Sequence, residues 1–178
     1  MEKGINYMLK KIIKVIRSKV NSILYVSKLT SKKIHCLGKL RISGNKIDNR
    51  ENVVFYDNVK IINNGKLFIG KNVKIGDNVI IYCNNSIHIG DNTIIAANSY
   101  MIDCDHGISR ELLIAQQPLE NGEVYIGNDC WIGEDVTITR GAYISDGCVI
   151  GAKALVRTKI SPYKVAVGIP AKEIKERV

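Results

Sequence analysis

From residue 69 onward the sequence falls into blocks of six residues, each beginning with a large aliphatic side chain. The blocks read IGKNVK, IGDNVI, IYCNNS and, after a slip of two residues, IGDNTI, IAANSY and MIDCDH. After an interruption they continue as IGNDCW, IGEDVT, ITRGAY, ISDGCV and IGAKAL. This period matches neither the 3.6-residue period of a helix nor the two-residue alternation of a strand. It predicts a parallel β-solenoid in which each block forms one flat side.

Each position of the block has its own predicted role. The first is Ile or Met in every block and should fill the core, while the fifth is mostly small and should fit at a corner. Glycine, Asn and Asp dominate positions two to four, where a turn needs unusual backbone angles. Three sides give a predicted coil of roughly 18 residues. Cys130 and Cys148 then lie one coil apart at position five and should stack as small core residues.

Composition limits the class of protein. The chain has 178 residues, enough for one domain. Its net charge of +9 is concentrated in residues 1–41, with eleven Lys/Arg against one acid, whereas residues 42–178 hold fifteen against sixteen. The near-neutral body argues against a nucleic-acid-binding protein. The five cysteines form no CxxC pair and no long apolar run occurs, so reduced thiols in a cytoplasmic protein are expected.

Residues 1–33 form a basic segment in front of the repeat domain at 34–178. Apolar residues recur there at steps of three and four, which predicts an amphipathic α-helix with its lysines largely off the apolar stripe. Such a helix fits a peripheral contact with the anionic inner face of a membrane. Packing of the stripe on the domain or on another subunit stays open. A short signal peptide is a further option, although no clear cleavage site of small residues follows.

Two stretches carry a resemblance to a known family: VYIGNDCWIGEDVTITRGAYISDGCVIGAKALV and the closing VAVGIPAKEIKER. They resemble the hexapeptide-repeat acyltransferases, in particular the sugar O-acetyltransferase branch with its maltose, galactoside and nodulation-factor acetyltransferases. The resemblance covers roughly residues 55–177. It implies a left-handed parallel β-helix, a homotrimer, and acetyl-CoA as co-substrate. The expected fold is therefore an all-β solenoid with an N-terminal amphipathic α-helix, one extruded loop at 107–125 and a short C-terminal helix.

Residues 102–107, IDCDHG, hold a dense cluster of ionisable groups at the interruption. His106 ends the last block, so its backbone should be held by the solenoid while its side chain meets the loop. A histidine with a pKa near neutrality can take the proton of an alcohol that attacks a thioester. The resemblance likewise makes His106 the general base. Asp103 and Asp105 are rival candidates to orient its other ring nitrogen, Asp105 at a position that normally points inward.

Two other chemistries are weaker alternatives. Cys104 is close enough to His106 to raise the question of a covalent acyl-enzyme, but direct transfer needs no such nucleophile. His88 and His106 are eighteen residues apart and should stack along one edge, which raises the question of a metal. The three-histidine zinc site of the γ-class carbonic anhydrases, however, needs a pair five residues apart, and His35 lies far upstream. No metal is expected.

The resemblance also assigns binding residues. Asn84 falls where relatives carry an acceptor-sugar ligand, and His88 and Arg110 are further candidates for acceptor binding. The coenzyme groove is expected along an outward-facing Trp131. Further coenzyme positions are assigned in the order of the chain: Glu134 and Ala152 at the pantetheine arm, Arg157, Thr158 and Lys159 where relatives read Thr-Lys-Asp, and Lys172 and Lys175 near the phosphates. The departure VRTKISP leaves the assignments within 157–159 open.

These expectations give a cytoplasmic O-acetyltransferase that acts on a sugar hydroxyl in surface-polysaccharide synthesis (capsule, O-antigen or exopolysaccharide). Three alternatives remain: an N-acyltransferase on an amino-sugar nucleotide, a serine O-acetyltransferase, and a non-catalytic solenoid that serves as an assembly platform. The sequence does not identify the acceptor.

Overall fold

A computed structural model describes residues 26–31 and 33–178. The amphipathic helix predicted within residues 1–33 therefore lies almost entirely outside the described residues. Val26–Lys28, at its end, form a short 3-10 helix, η1. Leu29 follows and is already part of the core, because it is 2% exposed and bridges to Ile47.

The rest of the described chain is built from short strands. In chain order these are β1 (Ile34–Cys36), β2 (Leu40–Gly44), β3 (Asp48–Asn49), β4 (Val53–Phe55), β5 (Val59–Asn63), β6 (Lys66–Ile69), β7 (Lys74–Ile75), β8 (Ile80–Cys83), β9 (Ser86–Ile89), β10 (Ile94–Ile95), β11 (Tyr100–Ile102), β12 (Cys104–His106), β13 (Leu119–Asn121), β14 (Glu123–Ile126), β15 (Trp131–Ile132), β16 (Thr137–Ile138), β17 (Tyr143–Ile144), β18 (Val149–Ile150), β19 (Leu155–Val156), β20 (Lys159–Ile160), β21 (Lys164–Val167) and β22 (Lys172–Glu176). A second 3-10 turn, η2, spans Ile114–Gln116.

Three sheets form the three faces of the molecule. Face A has the order β1-β4-β7-β10-β15-β18-β21-β22, face B the order β2-β5-β8-β11-β16-β19, and face C the order β3-β6-β9-β14-β17-β20. Apart from β12 and β13, which form a sheet of their own, strands β1 to β21 go to faces A, B and C in turn. Neighbours within a face are parallel except for β22, which pairs antiparallel with β21. The chain thus winds as a parallel solenoid, as the six-residue period predicts.

The core is made of columns of identical block positions. The first residue of all eleven blocks is at most 1% exposed, from Ile69 to Ile150. Most fifth positions are buried as well, and Cys130 and Cys148 lie there at 2% and 0% exposure, which confirms their predicted stacking in the core. Burial raises the pKa of Cys130 to about 12, so this thiol stays protonated.

The predicted coil length holds for only part of the chain. After the loop, Asn128 bonds to Asp146 18 residues later, but before it Asn58, Asn78 and Asn98 are linked at intervals of 20. The two extra residues lengthen the B–C corner around Asn63 and Asn84. This is the physical origin of the two-residue slip in the repeat.

The solenoid also begins earlier than the clear repeats. Strands β1 to β5 pair in register with the later coils, and His35, seen from the sequence as remote from the repeats, lies on β1 opposite Val54. Asn52 and Asn58 have positive φ, like the corner asparagines of the regular blocks. The turn residues of the coil are therefore present here at the same six-residue spacing, although these early blocks begin with Asn49 and Phe55 instead of Ile or Met.

The short C-terminal helix predicted from the sequence is wrong. Residues Lys172–Glu176 form β22, which folds back antiparallel onto β21 after a turn at Gly168, whose φ is +98°. The reason is the open edge of the last coil: β22 supplies the hydrogen-bond partners that β21 would otherwise lack. Among the described residues, no helix is long and apolar enough to cross a membrane.

Candidate functional site

One corner of the solenoid carries the extruded segment. The earlier coils pass from face B to face C through short turns, the third coil through Asn84 and Asn85. In the fourth coil the chain leaves at Cys104, forms the antiparallel hairpin β12–β13, and returns at Gly122. The loop predicted for 107–125 is thus present, but it begins three residues earlier.

His106 lies on β12, opposite Leu119, and is exposed. Its backbone is held by the hairpin and not, as the repeat suggested, by a solenoid sheet. The difference follows from where the six-residue register ends: Ile102 still pairs with Tyr82 on face B, whereas Cys104 already pairs with Asn121.

Asp103 is fully buried at the start of the hairpin. Its Oδ1 accepts a hydrogen bond from the backbone N–H of Asn84 at 2.7 Å, and its Oδ2 accepts one from that of Asn85 at 2.8 Å. The contacts of this carboxylate are therefore with the turn of the preceding coil. Its assignment as an orienter of the His106 ring stays a prediction.

Asp105 is exposed, so its expected inward position is wrong. Its Oδ2 accepts a hydrogen bond from Nε of Arg140 at 2.7 Å, and Nη2 of Arg140 lies 2.9 Å from Glu120. Glu120 stands directly opposite Asp105 across the hairpin. Arg140 thereby links both strands of the hairpin to the next coil, and the bond with Asp105 raises the pKa of its guanidinium. No sequence pattern pointed to Arg140, because its partners are 35 and 20 residues away in the chain.

His88 lies on face C in a column of stacked rings. Its ring is 4.6 Å from Phe68 and 4.8 Å from Tyr125, which in turn lies 4.5 Å from Tyr143. The expected stacking of His88 with His106 is wrong, because the hairpin removes His106 from the coil and Tyr125 takes that level. Burial lowers the pKa of His88, against the opposing charges of Asp91 and Asp146.

The other predicted acceptor residues surround the hairpin. Asn84 forms the turn beneath it, and its Nδ2 donates to Oδ1 of Asn121 at 2.8 Å. Arg110 is exposed within the segment between β12 and β13. Asn84, Arg110 and His106 thus belong to one corner, while His88 lies on the adjoining face C.

Most predicted coenzyme residues lie away from the B–C corner that carries the hairpin. Trp131 projects outward from face A and is 56% exposed, which confirms its predicted direction. Glu134 and Ala152 are exposed at the corner between faces A and B, one coil apart. Lys172 and Lys175 lie on β22, at the end of face A.

Residues 157–159 are the exception, since they occupy the B–C corner two coils beyond the hairpin. Arg157 and Thr158 are exposed there, and the Nζ of Lys159 lies 5.5 Å from the ring centre of Tyr143. Within one chain, therefore, His106 lies on one side of the solenoid, and the predicted coenzyme residues of face A and the A–B corner lie on another. In the described part of the chain no group of three His, Cys, Asp or Glu residues could hold a metal ion.

Two family descriptions match the coils on either side of the hairpin. Residues 66–101 match the hexapeptide repeat of succinyl-transferase, and residues 123–158 match the bacterial transferase hexapeptide of six repeats. The coils on either side of the hairpin therefore carry the hexapeptide repeat of these transferases.

Curated acetyltransferases align with the repeats of this chain. A probable acetyltransferase of Mycobacterium tuberculosis is 44% identical over 79 residues, which are 44% of this chain and 26% of the relative. The galactoside O-acetyltransferase of Escherichia coli K12 is 45% identical over 62 residues, 32% of this chain and 30% of the relative. The aligned stretch spans only about a quarter to a third of these relatives.

Solved structures share the fold over most of the chain. The polySia-specific acetyltransferase NeuO has a TM-score of 0.61 at 25% identity, covering 82% of this chain and 69% of its own. A maltose O-acetyltransferase of Clostridium difficile 630 has a TM-score of 0.56 at 24% identity, covering 93% and 89%. AntD, an N-acyltransferase of Bacillus cereus in complex with dTDP and 3-hydroxybutyryl-CoA, has a TM-score of 0.68 at 21% identity, covering 84% and 83%. The fold is the left-handed parallel β-helix that the family resemblance implied.

Proposed function

We propose that this protein is an O-acetyltransferase that moves an acetyl group from acetyl-CoA to a sugar hydroxyl, with His106 as the general base. The observation that carries the proposal is an exposed histidine on a hairpin that interrupts a transferase-family solenoid. A side chain there can meet a bulky acceptor, while the rigid coils fix the root of the hairpin.

The reaction needs one base and no covalent intermediate. His106 takes the proton of the acceptor hydroxyl as its oxygen attacks the thioester carbonyl. Collapse of the tetrahedral intermediate breaks the C–S bond, and the departing thiolate is protonated to give free CoA. Cys104 is a poor rival nucleophile, because it is 3% exposed and burial raises the pKa of its thiol.

We infer that the complete site forms between two copies of the chain in a homotrimer. The B–C corner carries His106 and Asn84, whereas Trp131 and Ala152 lie on face A and at the A–B corner. Parallel packing of two solenoids can bring the B–C corner of one copy beside face A of another. Trp131 would then line the pantetheine arm, and Lys172 and Lys175 would meet the phosphates.

Lipid-linked or nascent glycans are the acceptors that the charge distribution favours, as in surface-polysaccharide synthesis. The basic character extends beyond residues 1–33 into the first coils, where Arg41 and Lys60 are neighbours in register on face B. Repulsion between these like charges is relieved by an anionic surface such as a cytoplasmic membrane leaflet. Vesicles of anionic lipid should bind the full chain more strongly than a variant without residues 1–30; equal binding would remove the N-terminal segment from the proposal.

A second candidate, N-acylation of an amino-sugar nucleotide, is favoured by the fold likeness to AntD. An assay of thiol release from acetyl-CoA, run with neutral sugars, glycans, amino-sugar nucleotides and serine, separates the candidates by acceptor. Thiol release with none of them would favour the assembly platform.

For the base, we expect His106→Ala to lower kcat by about 10²- to 10⁴-fold while the thermal unfolding midpoint stays close to that of the wild type. His35→Ala, a change at an exposed histidine on β1, away from the hairpin, is the matched control and should retain most of the activity. Wild-type turnover in His106→Ala would refute the general-base assignment.

A further inference from the structure

We propose that Asp103 is a positioning residue. Together with the turn Asn84–Asn85 it fixes the two ends of the hairpin β12–β13, at Asp103 and Gly122, and so determines the position of His106. The inference about catalysis rests on the proposed function of His106, whereas the hydrogen bonds around Asp103 do not depend on it.

The first set of contacts is made by the buried carboxylate of Asp103. Asp103 is 0% exposed, and its two oxygens accept the backbone N–H groups of Asn84 and Asn85 at 2.7 and 2.8 Å. Bonds from amides to a carboxylate are stronger than those between neutral groups. The carboxylate also lies beside Cys83: burial first, and the charge of Asp103 second, raise the pKa of that thiol to about 12.

The second set of contacts holds the returning strand. The backbone oxygen of Asp103 accepts the N–H of Gly122 at 2.8 Å, so the two ends of the hairpin are bonded to each other. From the turn below, Nδ2 of Asn84 donates to Oδ1 of Asn121 at 2.8 Å, and Nδ2 of Asn85 donates to the backbone oxygen of Gly122 at 2.7 Å. The same turn thus holds the outgoing strand by its backbone amides and the returning strand by its side chains.

The position of the carboxylate within the corner supports this role. Asn63, Cys83 and Asp103 occupy the same inward column in successive coils. Asn63 is also fully buried and bridges to the preceding corner through its Nδ2, 2.9 Å from the backbone oxygen of Lys46. The neutral amide of Asn63 therefore lies at a short turn, whereas the carboxylate of Asp103 lies where the chain leaves the solenoid.

Arg140 makes a weaker contribution to the same hairpin. Its pairs with Asp105 and Glu120 are half-exposed, and such pairs are screened by water and salt. A buried carboxylate that lost its partners would instead bear a full desolvation cost. Asp103 is therefore expected to dominate the placement of His106, which lies three residues along the chain.

The test compares Asp103→Asn with Asp91→Asn. Asp91 makes the same kind of bond, from its Oδ1 to the backbone N–H of Lys71 at 2.9 Å, but at a corner without a hairpin. In Asp103→Asn the new NH₂ group faces a backbone N–H and cannot accept its bond. We expect kcat for acetyl transfer to fall on the order of 10- to 100-fold, since a shift of about 1 Å has that effect. The KM for acetyl-CoA should change little, because most of the predicted coenzyme residues lie on face A or at the A–B corner, and those at 157–159 lie two coils beyond the hairpin.

A second readout follows the hairpin directly. Arg110 is the single tryptic site between residues 75 and 139, so the rate of cleavage there in the native protein reports opening of the loop. Cleavage should accelerate several-fold in Asp103→Asn and stay at the wild-type rate in Asp91→Asn. Hydrogen exchange at Cys104–His106 should change in parallel.

The outcomes separate the alternatives. Loss of kcat with unchanged cleavage and exchange, or a shifted pH profile alone, would overturn positioning and make Asp103 a partner of the imidazole. Unchanged kcat and unchanged cleavage would overturn the inference outright. If the wild type transfers acetyl to no acceptor, the proposed function fails, but the cleavage assay still tests whether Asp103 fixes the hairpin. If Asp103→Asn does not fold, Asn85→Ala and Asn121→Ala each remove one bond of the returning strand and must accelerate cleavage.

Discussion

His88 shows how one residue can join successive coils through ring stacking. Its ring is sandwiched between Phe68 and Tyr125, and the column is flanked by cations, with Arg50 5.7 Å from Phe68 at one end and Lys159 at the other. Stacked aromatic neighbours add about 0.5–1.5 kcal/mol per pair beyond simple burial. The neutral imidazole suits this half-buried place, because burial lowers its pKa.

This pKa shift predicts a pH dependence of stability. In the unfolded chain His88 titrates near its ordinary value of 6.5, and in the native state it titrates lower. As the pH falls below 6.5 the unfolded state therefore takes up the proton first, and the free energy of unfolding decreases. His88→Phe keeps the stack and removes the titration, so its free energy of unfolding should fall less between pH 7.5 and 5 in urea denaturation. A steeper fall in the variant would mean that attraction of the imidazolium to the flanking rings outweighs burial.

At the scale of the coil, the asparagines of two corners form ladders. Asn58, Asn78 and Asn98 have φ near +60°, and the Nδ2 of each of the first two donates to Oδ1 of the next at 2.9 and 3.0 Å. Asparagine tolerates the left-handed conformation and at the same time pairs with its neighbour one coil away. These two properties explain why the turn positions of the blocks repeat Asn so often.

The ladder yields a stability prediction with an internal control. Asn78→Gly keeps the positive φ and loses the amide bonds, whereas Asn78→Ala also forces a Cβ into the left-handed region. We expect the alanine variant to be less stable than the glycine variant by about 1 kcal/mol in chemical denaturation. Asn45 also bonds through its Nδ2, 2.8 Å from the backbone oxygen of Asn64, but without a positive φ. There alanine should be at least as stable as glycine, and the opposite order would contradict the explanation.

The six-residue period was sufficient to predict these elements wherever side chains repeat. It predicted the core columns and the outward Trp131, because both follow from position within a block. It failed for Asp105 and His106, since an antiparallel hairpin starts inside the block MIDCDH and turns its last residues out of register. It also failed for Lys172–Glu176, because the open edge of β21, which the local sequence does not reveal, selects a strand there.

At the scale of the whole molecule, the predicted site residues fall into two groups on different sides of the solenoid. Resemblance assigned them one by one, but no spacing in the sequence shows that they divide between the B–C corner and face A. The winding of the chain fixes this: residues separated by one third of a coil point in different directions. The proposed site between two copies of the chain would use both groups.

This division predicts complementation between two inactive variants. His106→Ala removes the base, and Trp131→Ala combined with Lys172→Glu disables the expected coenzyme side. If each site takes its base from one chain and its coenzyme groove from another, co-expression and random assembly should restore about one quarter of the sites. If each chain holds a complete site, the mixture should be as inactive as its components. Co-expression of His106→Ala with His106→Asn is the control, since every site then lacks the base. Thiol release from acetyl-CoA by the purified mixed oligomers decides between the two arrangements.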